Sequence, residues 1–434
     1  MTFSLPHSKS QQLDARAKKV LVGGVNSPVR SFKRVGGQPL FAARGDKEKL
    51  WDADGNAYID LVMSYGPHLF GHAHPAMVEA VSQAMRGSSC LGMSSEGEAI
   101  WAEKLLARMP HAEKVRALST GTEACMTAIR LARGVTGRDV VVKFSGHYHG
   151  HVDSLLFDSG SGVATLSQDA VPESKGIPAA LASLARILPF NDSQMATELF
   201  RKDGKSIAAV ILEPIMGNMG VVPPQVEFLK TLRELCTQHG ALLIFDEVMT
   251  GLRVHKNSAQ GLYGIRPDLT TLGKIVGGGL PLSALVGPAV IMDQLAPLGP
   301  VYQAGTLSGN PVSIAAGIAM LDLIDREQPY AKLEEIGQTW EQVFSSVAAD
   351  KKIPLRIERV GSMISFYFRK DPVRSAEDCR NVDMERFTKF FWAMLGEGFM
   401  MPPSPFEACF LSVAHHSVSA DTLKTKVRAV FERL

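Results

Sequence analysis

The chain has 434 residues, 45% hydrophobic and 21% charged, an ordinary balance for a globular protein large enough for more than one domain. Its formal net charge is only +2, so charge gives no case for nucleic acid or an anionic membrane as a partner. Five scattered cysteines (Cys90, Cys125, Cys236, Cys379, Cys409) form no Cys-x-x-Cys pair, a pattern expected in a reducing compartment without structural disulfides, and a cytoplasmic location is expected.

Met1–Ser10 lacks the apolar stretch of a secretory signal, and no apolar run approaches the roughly 18 residues of a membrane span. No plastid transit pattern is present, which leaves a bacterial protein and a mature organelle form both open. Residues 1–65 read as an N-terminal segment with short hairpin-like pieces, among them Leu50–Ile59 around the turn signal Asp54-Gly55-Asn56. Residues 66–320 read as a large α/β domain. Val140–Phe144, Ala208–Leu212 and Ala241–Phe245 are short apolar runs suited to strands buried on both faces of a mostly parallel sheet. Val226–His239 is helical in pattern and stops at Gly240. Asp153–Pro178 is rich in Ser, Gly, Asp and Pro without a period and reads as a long loop, expected to act as a gate over a site. Residues 321–434 read as a smaller C-terminal α+β domain, with Phe366–Phe368 a candidate strand.

Three features fall where adjacent strands should end. The run Ala241–Phe245 leads into Asp246-Glu247, which places a carboxylate at the sheet's carboxyl edge. Asp268–Gly273 leads into Lys274 and then Gly277-Gly278-Gly279, a setting in which a lysine can be desolvated and made nucleophilic. Ser119-Thr120-Gly121-Thr122 opens a helical pattern and offers an anion site. Singly, each has a bland reading as a surface lysine, a solvated acidic pair or an ordinary cap. Together they supply what pyridoxal 5'-phosphate or its amine form, pyridoxamine 5'-phosphate, requires: a lysine for the aldehyde, a carboxylate for the ring nitrogen and donors for the phosphate. Neither a phosphate-binding GxxxxGK[ST] loop nor a GxGxxG after a strand is present, which removes the usual nucleotide anchors. His147, His149 and His151 alternate as zinc ligands on a strand could, yet no metal site is expected from them.

The stretches Leu243–Gly251 and Thr271–Gly279 resemble the signature of class III aminotransferases, which implies a dimeric protein of the type I pyridoxal-phosphate transferase fold. Within that family, Gly23–Arg30, Tyr148–His151, Gly217–Gly220, Ala304–Pro311 and Pro405–Ala408 resemble the glutamate-1-semialdehyde aminomutases, from about residue 16 to the C-terminus. The resemblance implies that Lys274 forms the link to the cofactor and shuttles protons, that Asp246 pairs with the ring nitrogen, and that Thr120, Gly121 and Thr122 bind phosphate. It implies that Thr306 reaches the phosphate across a homodimer interface, that Tyr148 stacks on the ring, and that Asn218 sits near its oxygen. Ser27, Arg30, Tyr65, Ser161 and Glu407 are implied to face the substrate.

The chain departs from the family where Ser119-Thr120 replaces Asn-Ser, where Tyr65 replaces Trp, and where His68 replaces an apolar residue. The implied reaction converts (S)-4-amino-5-oxopentanoate into 5-aminolevulinate through a 4,5-diamine, a step of tetrapyrrole synthesis. It leaves open transient docking of glutamyl-tRNA reductase to hand over the aldehyde. The alternatives are an intermolecular class III aminotransferase for a β-amino acid or diamine, and a binding protein that keeps only the fold. Glu407 bears on the first, because an α-amino acid enzyme wants a cation there; the intact Lys274, Asp246 and Thr306 motifs bear against the second.

Overall fold

The computed structural model describes residues 7–158 and 174–434. The expected turn at Asp54-Gly55-Asn56 joins two strands of an antiparallel meander, β1 (Ala42–Asp46), β2 (Lys49–Asp52) and β3 (Ala57–Asp60). Asp52 closes it, its Oδ1 accepting from the N–H groups of Asp54 (3.0 Å) and Asn56 (2.8 Å), while Gly55 takes a φ of +91° that a side chain would strain.

The next seven strands are β4 (Lys114–Leu118), β5 (Val140–Phe144), β6 (Ala185–Leu188), β7 (Ile207–Leu212), β8 (Leu242–Glu247), β9 (Leu269–Leu272) and β10 (Ser283–Gly287). They form one sheet in the order β4-β10-β9-β8-β7-β5-β6. β10 runs antiparallel to β4 and β9, and the pairs from β9 to β6 are parallel. The uninterrupted apolar runs have a direct cause: both faces are covered. Val210, Leu212, Leu243 and Phe245 share a core with Phe228, Leu229 and Leu232 of the helix Val226–His239. Val141, Ala209, Ile211 and Ile244 pack instead with Ala124, Ala128 and Leu131 of the helix Gly121–Thr136. A pleated strand sends alternate side chains to opposite faces, so two covered faces require an apolar residue at every position. Gly240 ends its helix with a φ of +65°.

The C-terminal part adds β11 (Arg356–Val360), β12 (Met363–Tyr367), β13 (Phe399–Met400) and β14 (Cys409–Phe410). β11, β12 and β14 form a small antiparallel sheet, and β13 pairs in parallel with β3. The strand expected at Phe366–Phe368 therefore begins earlier, at Met363. Phe32, Val35, Tyr58 and Leu61 share a core with Trp340, Phe344, Phe366, Phe390 and Phe399, so the start of the chain is held by its end. The helix Pro311–Glu327 runs unbroken through residue 320.

Candidate active site

Asp246, Lys274 and the start of the helix Gly121–Thr136 converge on one cavity of about 590 Å³, which Asn26, Ser27, Tyr65 and Glu407 also line. Strand alternation separates the two carboxylates at the end of β8. Asp246 faces the cavity. Glu247 turns away and caps the short helix Ser258–Tyr263, accepting from the Ala259 N–H (2.6 Å), the Gln260 N–H (3.0 Å) and the Thr250 hydroxyl (2.9 Å). Burial pushes the Glu247 carboxyl up to about 7.

Asp246 is held through both of its carboxylate oxygens. Its Oδ2 lies 2.6 Å from His149 Nδ1 and accepts from the Cys125 thiol (3.3 Å); its Oδ1 accepts from the Thr271 hydroxyl (3.1 Å) and the Val248 N–H (3.0 Å). Burial alone would raise its pKa, but the donors, His149 foremost, outweigh it and hold the carboxylate below its ordinary range. Burial drives His149 the other way, toward the neutral imidazole, which then donates through Nδ1 to Asp246. Asp246 is thus a fixed negative charge at the base of the cavity.

Lys274 follows β9 through Gly273 and holds a left-handed backbone, φ +51°, a conformation that costs a non-glycine residue energy and marks functional positions. Its side chain lines the cavity, with Nζ 5.9 Å from the centre of the Phe410 ring. Burial lowers its pKa to about 8, while Glu407 and Glu213 pull the other way. Such a lysine can carry or release a proton near neutrality.

The wall beside Lys274 is strained. Met63, Ser64 and Tyr65 are three consecutive non-glycine residues at φ +43°, +55° and +63°, followed by Gly66 at +117°. A Cβ on Gly66 would lie 3.5 Å from Lys274 Cδ and 3.3 Å from Phe410. Buried Arg253 holds this turn, donating to the Gly66 carbonyl, to the Ser362 hydroxyl (2.9 Å) and to the Leu411 carbonyl (3.2 Å). The turn points Tyr65 at the cavity, where its hydroxyl donates to the Val29 carbonyl (3.3 Å) and ties it to the Ser27–Arg30 segment.

The cavity brings together Lys274, Asp246, Gly121, Thr122, Tyr148, Asn218, Ser27, Tyr65 and Glu407 of the residues singled out in the sequence. Gly121 is needed for closeness, since a Cβ there would meet Val248 at 2.9 Å. By helix geometry the N–H groups of Gly121 and Thr122 have no partner inside their helix. Three expected residues sit elsewhere. The Thr120 hydroxyl is the helix cap, accepting from the Glu123 N–H (3.1 Å), and Thr120 is not among the lining residues. Arg30 is exposed at the end of a short turn, Pro28–Arg30, although its charge acts on Tyr65. Thr306 is exposed on a second cavity of about 390 Å³, with Cys90, Leu91 and Met93. Ser161 and the centre of the expected gate lie outside the described residues.

Cys125, His149 and Glu213 also line the cavity and were not singled out as site residues. Cys125, His149 and Asp246 are close enough for a metal, but their bonds to one another and to Thr271 account for the cluster. Glu213 had a usable signal: it directly follows the strand Ile207–Leu212, as the acidic pair follows Phe245.

The family described as aminotransferase class-III matches residues 32–416, and the chain belongs to it. Its relatives include proteins named glutamate-1-semialdehyde 2,1-aminomutase. One from Sorangium cellulosum is 50% identical over 98% of this chain and 96% of its own length. Another from Methylacidiphilum infernorum is 48% identical over 98% of both. Among solved structures, an omega-transaminase from Sphaerobacter thermophilus matches with a TM-score of 0.89 at 31% identity, covering 99% of this chain and 98% of that one.

Proposed function

We propose that the protein is a glutamate-1-semialdehyde 2,1-aminomutase, converting (S)-4-amino-5-oxopentanoate to 5-aminolevulinate in tetrapyrrole synthesis. The observation that carries this reading is Glu407 on the cavity wall beside Lys274, where a carboxylate repels an α-carboxylate and attracts an amine. The near-full-length likeness to proteins of that name supports it.

The cavity fits pyridoxal or pyridoxamine 5'-phosphate. The Asp246 carboxylate, kept ionised by its donors, would pair with the ring nitrogen; Tyr148 would cover a ring face and Asn218 would approach the ring oxygen. Gly121 and Thr122 would hold the phosphate at the helix start. Bound there, the cofactor supplies an electron sink for the pair left when a proton leaves a nitrogen-bearing carbon.

The chain supplies the rest. Lys274 Nζ, with its lowered pKa, would deliver a proton to the carbon that receives nitrogen in the first half of the exchange and take one from the carbon that gives up nitrogen in the second. Asp246 keeps the ring nitrogen protonated, and Tyr65 and Ser27 close the substrate side. Arg30 would meet the substrate carboxylate as a planar fork. Two copies of the chain are needed in this reading, since Thr306 is exposed away from its own cavity and would complete the partner's phosphate site. A cytoplasmic location and transient delivery of the aldehyde by glutamyl-tRNA reductase belong to the same reading; co-purification of the reductase checks the second.

The test is conversion of glutamate-1-semialdehyde by purified holoenzyme with no added amino donor or acceptor. An intermolecular aminotransferase is the second reading, favoured by the likeness to an omega-transaminase, and it requires such a pair.

A further inference from the structure

Arg253 lies in the loop after β8 and is buried, yet all its bonds go to uncharged oxygens: the Gly66 carbonyl, the Ser362 hydroxyl (2.9 Å) and the Leu411 carbonyl (3.2 Å). Its Nε has no partner, and no carboxylate pairs with it among the described residues. A buried guanidinium is ordinarily paired with an acid, because an unpaired charge is costly to take out of water. An arginine kept there unpaired calls for a use.

Its neighbours supply one. A Cβ on Gly66, whose carbonyl Arg253 holds, would lie 3.5 Å from Lys274 Cδ. The two cations also share one ring: the Arg253 guanidinium carbon is 5.1 Å, and Lys274 Nζ 5.9 Å, from the centre of Phe410. Burial is the main cause of the lowered Lys274 pKa; among the charges that face the lysine, Glu407, Glu213 and Asp246 oppose it and Arg253 reinforces it. The same charge reaches His68, which burial first of all holds neutral. Burial lowers the guanidinium's own pKa, but a guanidinium stays charged at neutral pH. Tyr330, whose charge would act on Arg253, is held protonated by burial.

We propose that Arg253 is a positioning residue for proton transfer: it fixes the Gly66 turn against the Lys274 stem and sets an uncancelled positive charge near the lysine, so that the amine starts each exchange neutral. This rests on Lys274 as the proton carrier, in either of the two exchange reactions. A protonated amine takes no proton, and the three acids around Lys274 by themselves favour the protonated form. An acid paired with Arg253 would cancel its charge at the lysine, so the bonds to uncharged oxygens alone are what this role requires.

The test reads the lysine itself. Holoenzyme with its cofactor in the amine form, in which the Lys274 amine is free, is labelled with acetic anhydride over a range of pH, and acetylation of Lys274 is followed by peptide mass spectrometry. Arg253→Gln, which keeps a donor and drops the charge, is expected to raise the midpoint of labelling by roughly one pH unit, the scale of one charge at about 10 Å in a protein. Arg253→Lys, which keeps the charge, is expected to stay within about 0.3 unit of the parent. Ser362→Ala loosens the same arginine without changing a charge, and its midpoint is expected to stay in place. The kcat–pH profile with the semialdehyde is expected to move with the labelling. Arg253→Met takes the place of the glutamine variant if thermal melting shows that variant unfolded. A midpoint unmoved in the neutral variant, or moved as far by Arg253→Lys or Ser362→Ala, overturns the proposal. Wild-type enzyme that fails to isomerise the semialdehyde without a donor overturns the aminomutase reading instead and leaves the labelling result standing, so the two failures are distinct.

Discussion

His149 Nδ1 lies 2.6 Å from Asp246 Oδ2, with both residues buried, and this contact sets the charge at the base of the cavity. Replacing His149 by Phe keeps a ring and removes the donor. A hydrogen bond to a charged group contributes about 1.5–3 kcal/mol, so turnover is expected to fall roughly 10–100-fold, with the cofactor absorbance titrating at a shifted pH. A variant with both unchanged would show that Asp246 is held by Thr271, Val248 and Cys125 alone.

Lys274 sets the pH dependence. Its folded pKa, about 8, is below the ordinary lysine value, and the amine accepts a proton only when neutral. Turnover is therefore expected to rise with pH and level off above about 8, as the neutral fraction grows. A kcat–pH profile that falls over the range 7 to 9 contradicts this.

Lys274→Ala is expected to lower turnover by at least roughly 10²–10⁴-fold, the usual worth of positioned proton transfer. Bound cofactor is expected to survive, because Asp246 and the helix start at Gly121 do not depend on the lysine. Cofactor retention after gel filtration and single-turnover rates check both halves.

Arg34 stacks with its guanidinium carbon 4.7 Å from the centre of the Phe406 ring, and Glu407 is the charge that raises its pKa against burial. Glu407→Arg or Glu407→Gln is expected to cut the mutase rate while cofactor binding stays. Arg34→Met is expected to lower kcat/KM for the semialdehyde by roughly three- to tenfold in the parent and little in the Glu407→Gln background, as contacting groups are non-additive. Additive losses would separate Arg34 from Glu407.

The parts of the site carried by strand ends were legible. Apolar runs closed by a carboxylate or by Gly273-Lys274 mark the carboxyl edge of a sheet buried on both faces, and the structure places Asp246 and Lys274 there. Choosing Asp246 over Glu247 requires strand alternation plus the helix that Glu247 caps. His149 was hidden because its partner is 97 positions away. The left-handed turn at Met63–Tyr65 could not be read either. Those residue types do not favour positive φ, and the turn persists because Arg253, from a distant segment, bonds the Gly66 carbonyl. Thr120 shows the reverse: the small hydroxyl residue at the helix start was noticed, but the structure uses its hydroxyl as the cap.

The most direct test of the aminomutase reading is the fate of nitrogen. Glutamate-1-semialdehyde labelled with heavy nitrogen is supplied to the holoenzyme together with an excess of unlabelled alanine, and the 5-aminolevulinate is analysed by mass spectrometry. An aminomutase passes nitrogen from one substrate molecule to the next, so after the first turnover the product is expected to be fully labelled and its rate independent of alanine. Product diluted toward unlabelled nitrogen, with a rate that climbs with alanine, would contradict the assignment and make the protein an intermolecular aminotransferase.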